Sequence, residues 1–158
     1  MHLTEEPILL GKFFSFSSNP SCGATASFVG MVRDHDEGKR VKKLYYECYP
    51  SMADKMIGQL ITEASDQWNI NEIRVLHRVG TLEIGDVAVA IAVSSAHREE
   101  AFQGCRFLIE RLKLEVPIWK KQIFEDGTNE WAIYQHSNGV GATPALPAGR
   151  RRVAQVTA

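Results

Sequence analysis

Lys120 and Lys121 stand between Trp119 and Gln122, three residues after Pro117, in a chain whose net charge is only -1. Pro117 must end any preceding helix, because it lacks an N–H and disfavours helical geometry at Val116. Residues 118–123 then alternate like a strand. Ile118, Lys120 and Gln122 share one face and Trp119, Lys121 and Ile123 the other, so each face carries an ammonium beside apolar bulk. A solvated edge strand accounts for this pattern. So does an anion site, in which a lysine near Trp119 loses hydration and becomes a better base or nucleophile.

Other basic groups have a chemical and a structural reading too. Arg33 ends an apolar strand and is either an anion ligand or a surface arginine. His97 and Arg98 lie where a strand meets a helix. There they would join the free N–H groups and positive dipole end of that helix in holding a phosphate, or else form a capping or ion-paired couple. Lys113 falls near the same helix's apolar stripe at its C-terminal end, where a cation also complements the dipole. His77 and Arg78 lie inside a strand and read as structural, and Cys48 and Cys105 read as small core residues rather than nucleophiles. His97 and Lys113 are 16 positions apart on one helix, hence roughly 24 Å at 1.5 Å per residue. A small substrate that needs both must draw one of them from a second copy of the chain.

The elements that position these groups are legible as hydrophobic periods. Residues 23–33 and 41–49 read as two strands joined by the polar turn "DHDEGKR", with a close approach at Gly30, and are expected to pair as an antiparallel hairpin. A helix over 51–68 carries Met52, Met56, Leu60, Ala64 and Trp68, and a second over 98–114 carries Phe102, Cys105, Ile109 and Leu112. Residues 72–80 alternate as a half-buried strand, "TLEIGD" reads as a turn with Gly85 at positive φ, and the unbroken apolar run 87–96 reads as the central strand. "IWKKQIF", the turn "EDGTN" and "EWAIYQ" complete a last hairpin. The order β, β, α, β, β, α, β, β predicts an α+β fold, with two main helices on a mixed, largely antiparallel sheet. Residues 1–135 are expected to form a single domain, with a Gly/Pro/Ala-rich tail over 136–158.

Composition removes several classes of function. With 158 residues and 44% hydrophobic content, the chain can bury one substantial core. Eighteen basic against nineteen acidic residues provide no global field to recruit nucleic acid or a membrane, so an anion must be attracted locally. Cys22, Cys48 and Cys105 are odd in number and lack CxxC spacing, which argues against a disulfide framework or a metal site. No phosphate loop of the GxGxxG or GxxxxGK[ST] type follows a strand. No run approaches about 18 apolar residues, and the acidic N-terminal stretch is unlike an export signal, so the expected location is cytoplasmic.

"GATASFVGMVRDHDEGKRVKKLYYECYPSMADK", "HRVGTLEIGDVAVAIAVSSAHREEAF" and "LKLEVPIWKKQIFEDGTNEW" together resemble, in order and spacing, the large catalytic subunit of molybdopterin synthase, the MoaE-like family. The similarity covers about residues 22–131, and its G-x-V-R, S-A-H-R and L-K-x(3)-P-I-W-K-K elements are specific in combination. The resemblance implies an α/β-hammerhead fold and a homodimer within a heterotetramer, with a small ubiquitin-like sulfur carrier at each end. It implies a reaction as well. Sulfur passes from the carrier's thiocarboxylated C-terminal glycine to cyclic pyranopterin monophosphate, forming the molybdopterin dithiolene, with no cofactor on this chain. By resemblance, Met31, Val32, Arg33, His97 and Arg98 hold the pterin phosphate, Lys113 and Lys120 are catalytic, and Lys121 and Gln122 complete the substrate site. Many relatives carry glutamate where Gln122 stands, and an amide cannot act as a carboxylate base. A non-catalytic docking scaffold for the carrier and a phosphate-ligand sensor are the alternative functions.

Overall fold

The computed structural model describes residues 1–15 and 19–132; Ile133, Tyr134 and Gln135 of the last expected strand, and the 136–158 tail, lie outside them. The strands are β1 (Leu3–Thr4), β2 (Ala24–Met31), β3 (His35–Asp36), β4 (Lys39–Cys48), β5 (Ile70–Arg78), β6 (Gly80–Glu83), β7 (Val87–Ser95), β8 (Ile118–Phe124) and β9 (Asn129–Trp131). The helices are α1 (Leu10–Phe13), α2 (Pro50–Gln67) and α3 (Arg98–Glu115). The result is an α+β fold with its strands divided between two sheets. One has the order β1-β5-β7-β2, parallel only between β1 and β5; the other has the order β3-β4-β8-β9, with β6 also paired to β4.

β7 is internal in its sheet as its composition requires, and every residue from Ala88 to Ser95 is buried. α3 packs across β7 and β2 and against α2. Gly104 makes this approach close, for a Cβ there would lie 2.5 Å from Ile70 Cδ1 and 3.3 Å from Val93 Cγ1. Small residues thus set the rotation of both helices. α2 buries Ala53, Ile57, Leu60 and Ala64 and leaves Met52 exposed, while α3 buries Ala101, Gly104, Cys105, Leu108, Ile109 and Leu112 and leaves Phe102 exposed. The expected stripes are therefore corrected by one position at those two large side chains.

The expected hairpin between residues 23–33 and 41–49 does not form. β2 pairs with β7, opposing Phe28 to Ile91, and β4 pairs with β8, opposing Tyr46 to Lys120. The reason is a two-residue turn. His35 pairs with Arg40 and Asp36 with Lys39, and the intervening Glu37 and Gly38 have φ of 46° and 79°, as a type I′ turn demands. β4 is consequently folded back on β3 rather than on β2. "TLE" within the expected turn is strand β6, and Gly85 has the expected positive φ, 86°. β8 lies between β4 and β9, so the edge-strand reading of the lysine pair is excluded. No described helix is long and apolar enough to cross a membrane.

Candidate active site

Where the two sheets meet the C-terminal end of α3, a cavity of about 300 Å³ opens, of a size that suits a small-molecule ligand. Phe28, Val41, Leu44, Ala88, Val89, Ile109 and Leu112 supply its apolar wall. Its polar groups converge from separate elements: Arg33 after β2, Asp36 on β3, His77 on β5, Lys113 on α3, and Lys120 and Gln122 on β8.

β2 delivers Arg33 through an irregularity. The β2–β7 pairing shifts between Gly30 and Met31, and a Cβ on Gly30 would stand 2.8 Å from Val89 Cγ1, so only glycine fits that approach. Met31 turns to the rim and is 57% exposed. Val32 is buried and pinned on both sides: its N–H donates to the Asp86 carbonyl at 3.0 Å, and its carbonyl accepts from the Gly85 N–H at 2.9 Å. Arg33 leaves this anchored backbone and donates from Nη2 to Asp36 Oδ1 at 2.8 Å. The other carboxylate oxygen of Asp36 accepts from Nε2 of buried Gln122.

The two lysines differ in exposure: Lys120 is half-buried, whereas Lys113 is exposed where the cavity opens. Burial pushes the Lys113 ammonium below its ordinary pKa, and the Arg33 charge adds to this; the Lys113 Nζ lies 5.9 Å from the Phe28 ring centroid. Lys120 is also pushed down, chiefly by burial and further by Arg33 and Lys113, while Asp36 acts the other way. A lysine so placed is a readier proton donor near neutral pH. His77 is 5% exposed and sits edge-on to Tyr46 with ring centroids 5.0 Å apart. Burial lowers its pKa to about 4, so it is neutral at pH 7, and Nδ1 donates to the Arg78 carbonyl at 2.7 Å, which leaves the lone pair on Nε2.

Of the residues singled out in the sequence, Met31, Arg33, Lys113, Lys120 and Gln122 share this cavity. Val32 lies behind it as the pinned backbone. Lys121 points to the other face of β8, with Nζ 5.8 Å from the Trp131 ring centroid. His97 and Arg98 are exposed at the opposite end of α3, which runs unbroken from Arg98 to Glu115, and the His97 side chain does not cap the helix. Cys105 is buried, and its thiol is pushed up to about 11, as befits a core residue.

Asp36 and His77 belong to the cavity although the sequence did not single them out for it. Asp36 lies in a polar stretch that reads as a solvated turn, and only the glycine two residues later hints at the hairpin that turns it inward. His77 carried a faint signal: it alternates with Ile73 and Val75 on the inward face of β5.

An α+β fold whose cavity gathers an arginine, two lysines, a carboxylate and an amide over an apolar wall defines a class by its chemistry. Such a cavity has the groups needed to bind an anionic small molecule and to move protons on it. The family model described as MoaE protein matches residues 3–115, and the chain belongs to that family. It is 44% identical over 125 residues to the molybdopterin synthase catalytic subunit of Halalkalibacterium halodurans, covering 79% of this chain and 80% of that one. The crystal structure of molybdopterin synthase from Staphylococcus aureus superposes with a TM-score of 0.78 at 40% identity, covering 84% of this chain and 96% of that one. One chain in a complex of subunits 1 and 2 of the molybdopterin-converting factor from Helicobacter pylori has the same fold, with a TM-score of 0.60 at 22% identity, covering 82% of this chain and 81% of that one.

Proposed function

We propose that this chain is the catalytic subunit of a molybdopterin synthase, a sulfurtransferase that receives sulfur from the thiocarboxylated C-terminus of a small ubiquitin-like carrier and delivers it to cyclic pyranopterin monophosphate. The observation that carries this reading is the convergence of Lys113, Lys120 and Arg33, from three separate elements, on one cavity. The catalytic-subunit relatives, alike over most of their length, support it.

Lys113 and Lys120 line the channel for the carrier's glycine tail. Their ammonium groups stabilise the oxyanion formed as the thiocarboxylate sulfur attacks the pterin. They do so again as water cleaves the acyl group, leaving sulfur on the pterin and a carboxylate on the carrier. They also pass protons as the cyclic phosphate opens. Two such rounds give the dithiolene, with one pterin oxygen leaving as water and the other as the phosphate oxygen released when the ring opens. Arg33, set in place by the Met31–Val32 backbone, binds the anionic substrate from this chain, and Gln122 hydrogen-bonds within the site.

His97 and Arg98 complete the phosphate clamp from a second protomer. His97, at the N-cap of unbroken α3, and Lys113 are 16 positions apart, roughly 24 Å at 1.5 Å per residue, which is too far for one small substrate. Each pocket of a homodimer then combines the lysines of one copy with the His97–Arg98 pair of the other, and a carrier at each end makes a heterotetramer.

Reconstitution tests the reading: the purified chain, thiocarboxylated carrier and cyclic pyranopterin monophosphate should yield molybdopterin. Carrier binding without product would instead mark a docking scaffold.

A further inference from the structure

Among the described residues that line the cavity, Asp36 alone carries a carboxylate. It is held from three directions. The type I′ turn at Glu37 and Gly38 closes the β3–β4 hairpin immediately after it, and Glu37 tolerates φ of 46° to do so. A non-glycine residue in that region costs on the order of 1 kcal/mol, and such strain persists where the surroundings over-determine it. Asp36 Oδ1 accepts from Arg33 and Oδ2 from Gln122. The Asp36 side chain is only 14% exposed against 67% for Arg33, so the carboxylate is the inner partner of that pair. Gln122 is two residues from Lys120 on the same face of β8.

We propose that Asp36 is a positioning residue: clamped by Arg33 and Gln122 in the cavity that Lys120 also lines, its carboxylate holds the Lys120 ammonium for oxyanion binding, a role that rests on the lysine chemistry proposed above. Lys120 otherwise meets surroundings that favour the neutral amine. Burial, Arg33 after β2 and Lys113 on α3 all act in that direction. β4 opposes Tyr46 to it, β5 contributes His77, which is neutral at pH 7, and the β9 residues Glu130 and Trp131 pair with Gln122 and Lys121. β3 brings His35 to the same cavity and supplies, with Asp36, the opposing charge.

The test is the titration of Lys120 itself, monitored by NMR in protein with ¹³C-labelled lysine, its signal assigned with Lys120→Arg. In Asp36→Asn, Lys120 should lose its proton at lower pH than in the wild type. The alkaline limb of single-turnover sulfur transfer should move down in parallel, with about a tenfold lower rate above it, as for other charged hydrogen bonds. The double variant Asp36→Asn/Gln122→Glu returns a carboxylate to the other end of the same hydrogen bond and should restore both. It carries the same substitution at position 36, so it also decides the matter should the single variant fold poorly. An unmoved Lys120 titration in Asp36→Asn, or a double variant whose Lys120 still titrates low, would overturn the proposal. The titration needs no substrate, so a wild-type chain that transfers no sulfur refutes the sulfur-transfer reading and leaves Asp36 to be judged on the titration alone.

Discussion

At the residue scale, Lys113, Lys120 and Arg33 announced themselves by type: a cation beside apolar bulk has few uses besides solvation and anion chemistry. Asp36 did not, because an acid in a polar turn looks the same whether it faces water or a cavity. Lys120→Ala should cut the transfer rate by about 10² or more, the usual loss when an acid/base group is removed, with little change in thermal midpoint. Turnover and calorimetry on the same preparation check this, and activity within about threefold of wild type would remove Lys120 from the chemistry. His77 gives a pH prediction. Its folded pKa of about 4 lies below the unfolded 6.5, so the unfolded chain binds the extra proton between those values. The stability it contributes is complete above pH 6.5 and is lost as pH falls toward 4. Urea midpoints across that window should fall further for the wild type than for His77→Gln, whose side chain does not titrate. Equal falls in both would show that His77 is not buried neutral.

At the element scale, the patterns that survive folding are those set by one element alone. The apolar run of β7, the stop at Pro117 and the positive φ at Gly85 each follow from local chemistry, and each is found. Pairing is a relation between elements, and there local reasoning failed: adjacency in sequence suggested β2 with β4, whereas the Glu37–Gly38 turn committed β4 to β3. Helix rotation failed by one position for a similar reason, since Ala101 and Gly104 permit a closer approach than Phe102 would allow. The irregularity at Gly30 was legible as a close approach, though not as the device that aims Arg33. Gly30→Ala should drive a methyl into stiff Val89, destabilise the fold by about 1–3 kcal/mol as overpacking does, and weaken substrate binding by displacing Arg33. Chemical denaturation and substrate titration read the two effects separately. A variant with unchanged stability would mean that β2 and β7 separate more easily than their packing indicates.

At the scale of the whole molecule, the length of α3 is decisive: an unbroken Arg98–Glu115 helix keeps the exposed His97–Arg98 pair away from the lysine cavity of its own chain. The central claim is that each working pocket takes its anion clamp from one copy and its lysines from another, and subunit exchange tests it most directly. Arg98→Ala and Lys120→Ala homodimers should each be inactive, the first for want of the clamp and the second for want of the chemistry. In a mixed dimer one pocket collects both lesions and the other neither, so each mixed dimer should regain about half of wild-type sulfur transfer. If clamp and lysines instead belonged to the same chain, every pocket would carry a lesion. No recovery of activity, with exchange verified by mass spectrometry, would contradict the shared site.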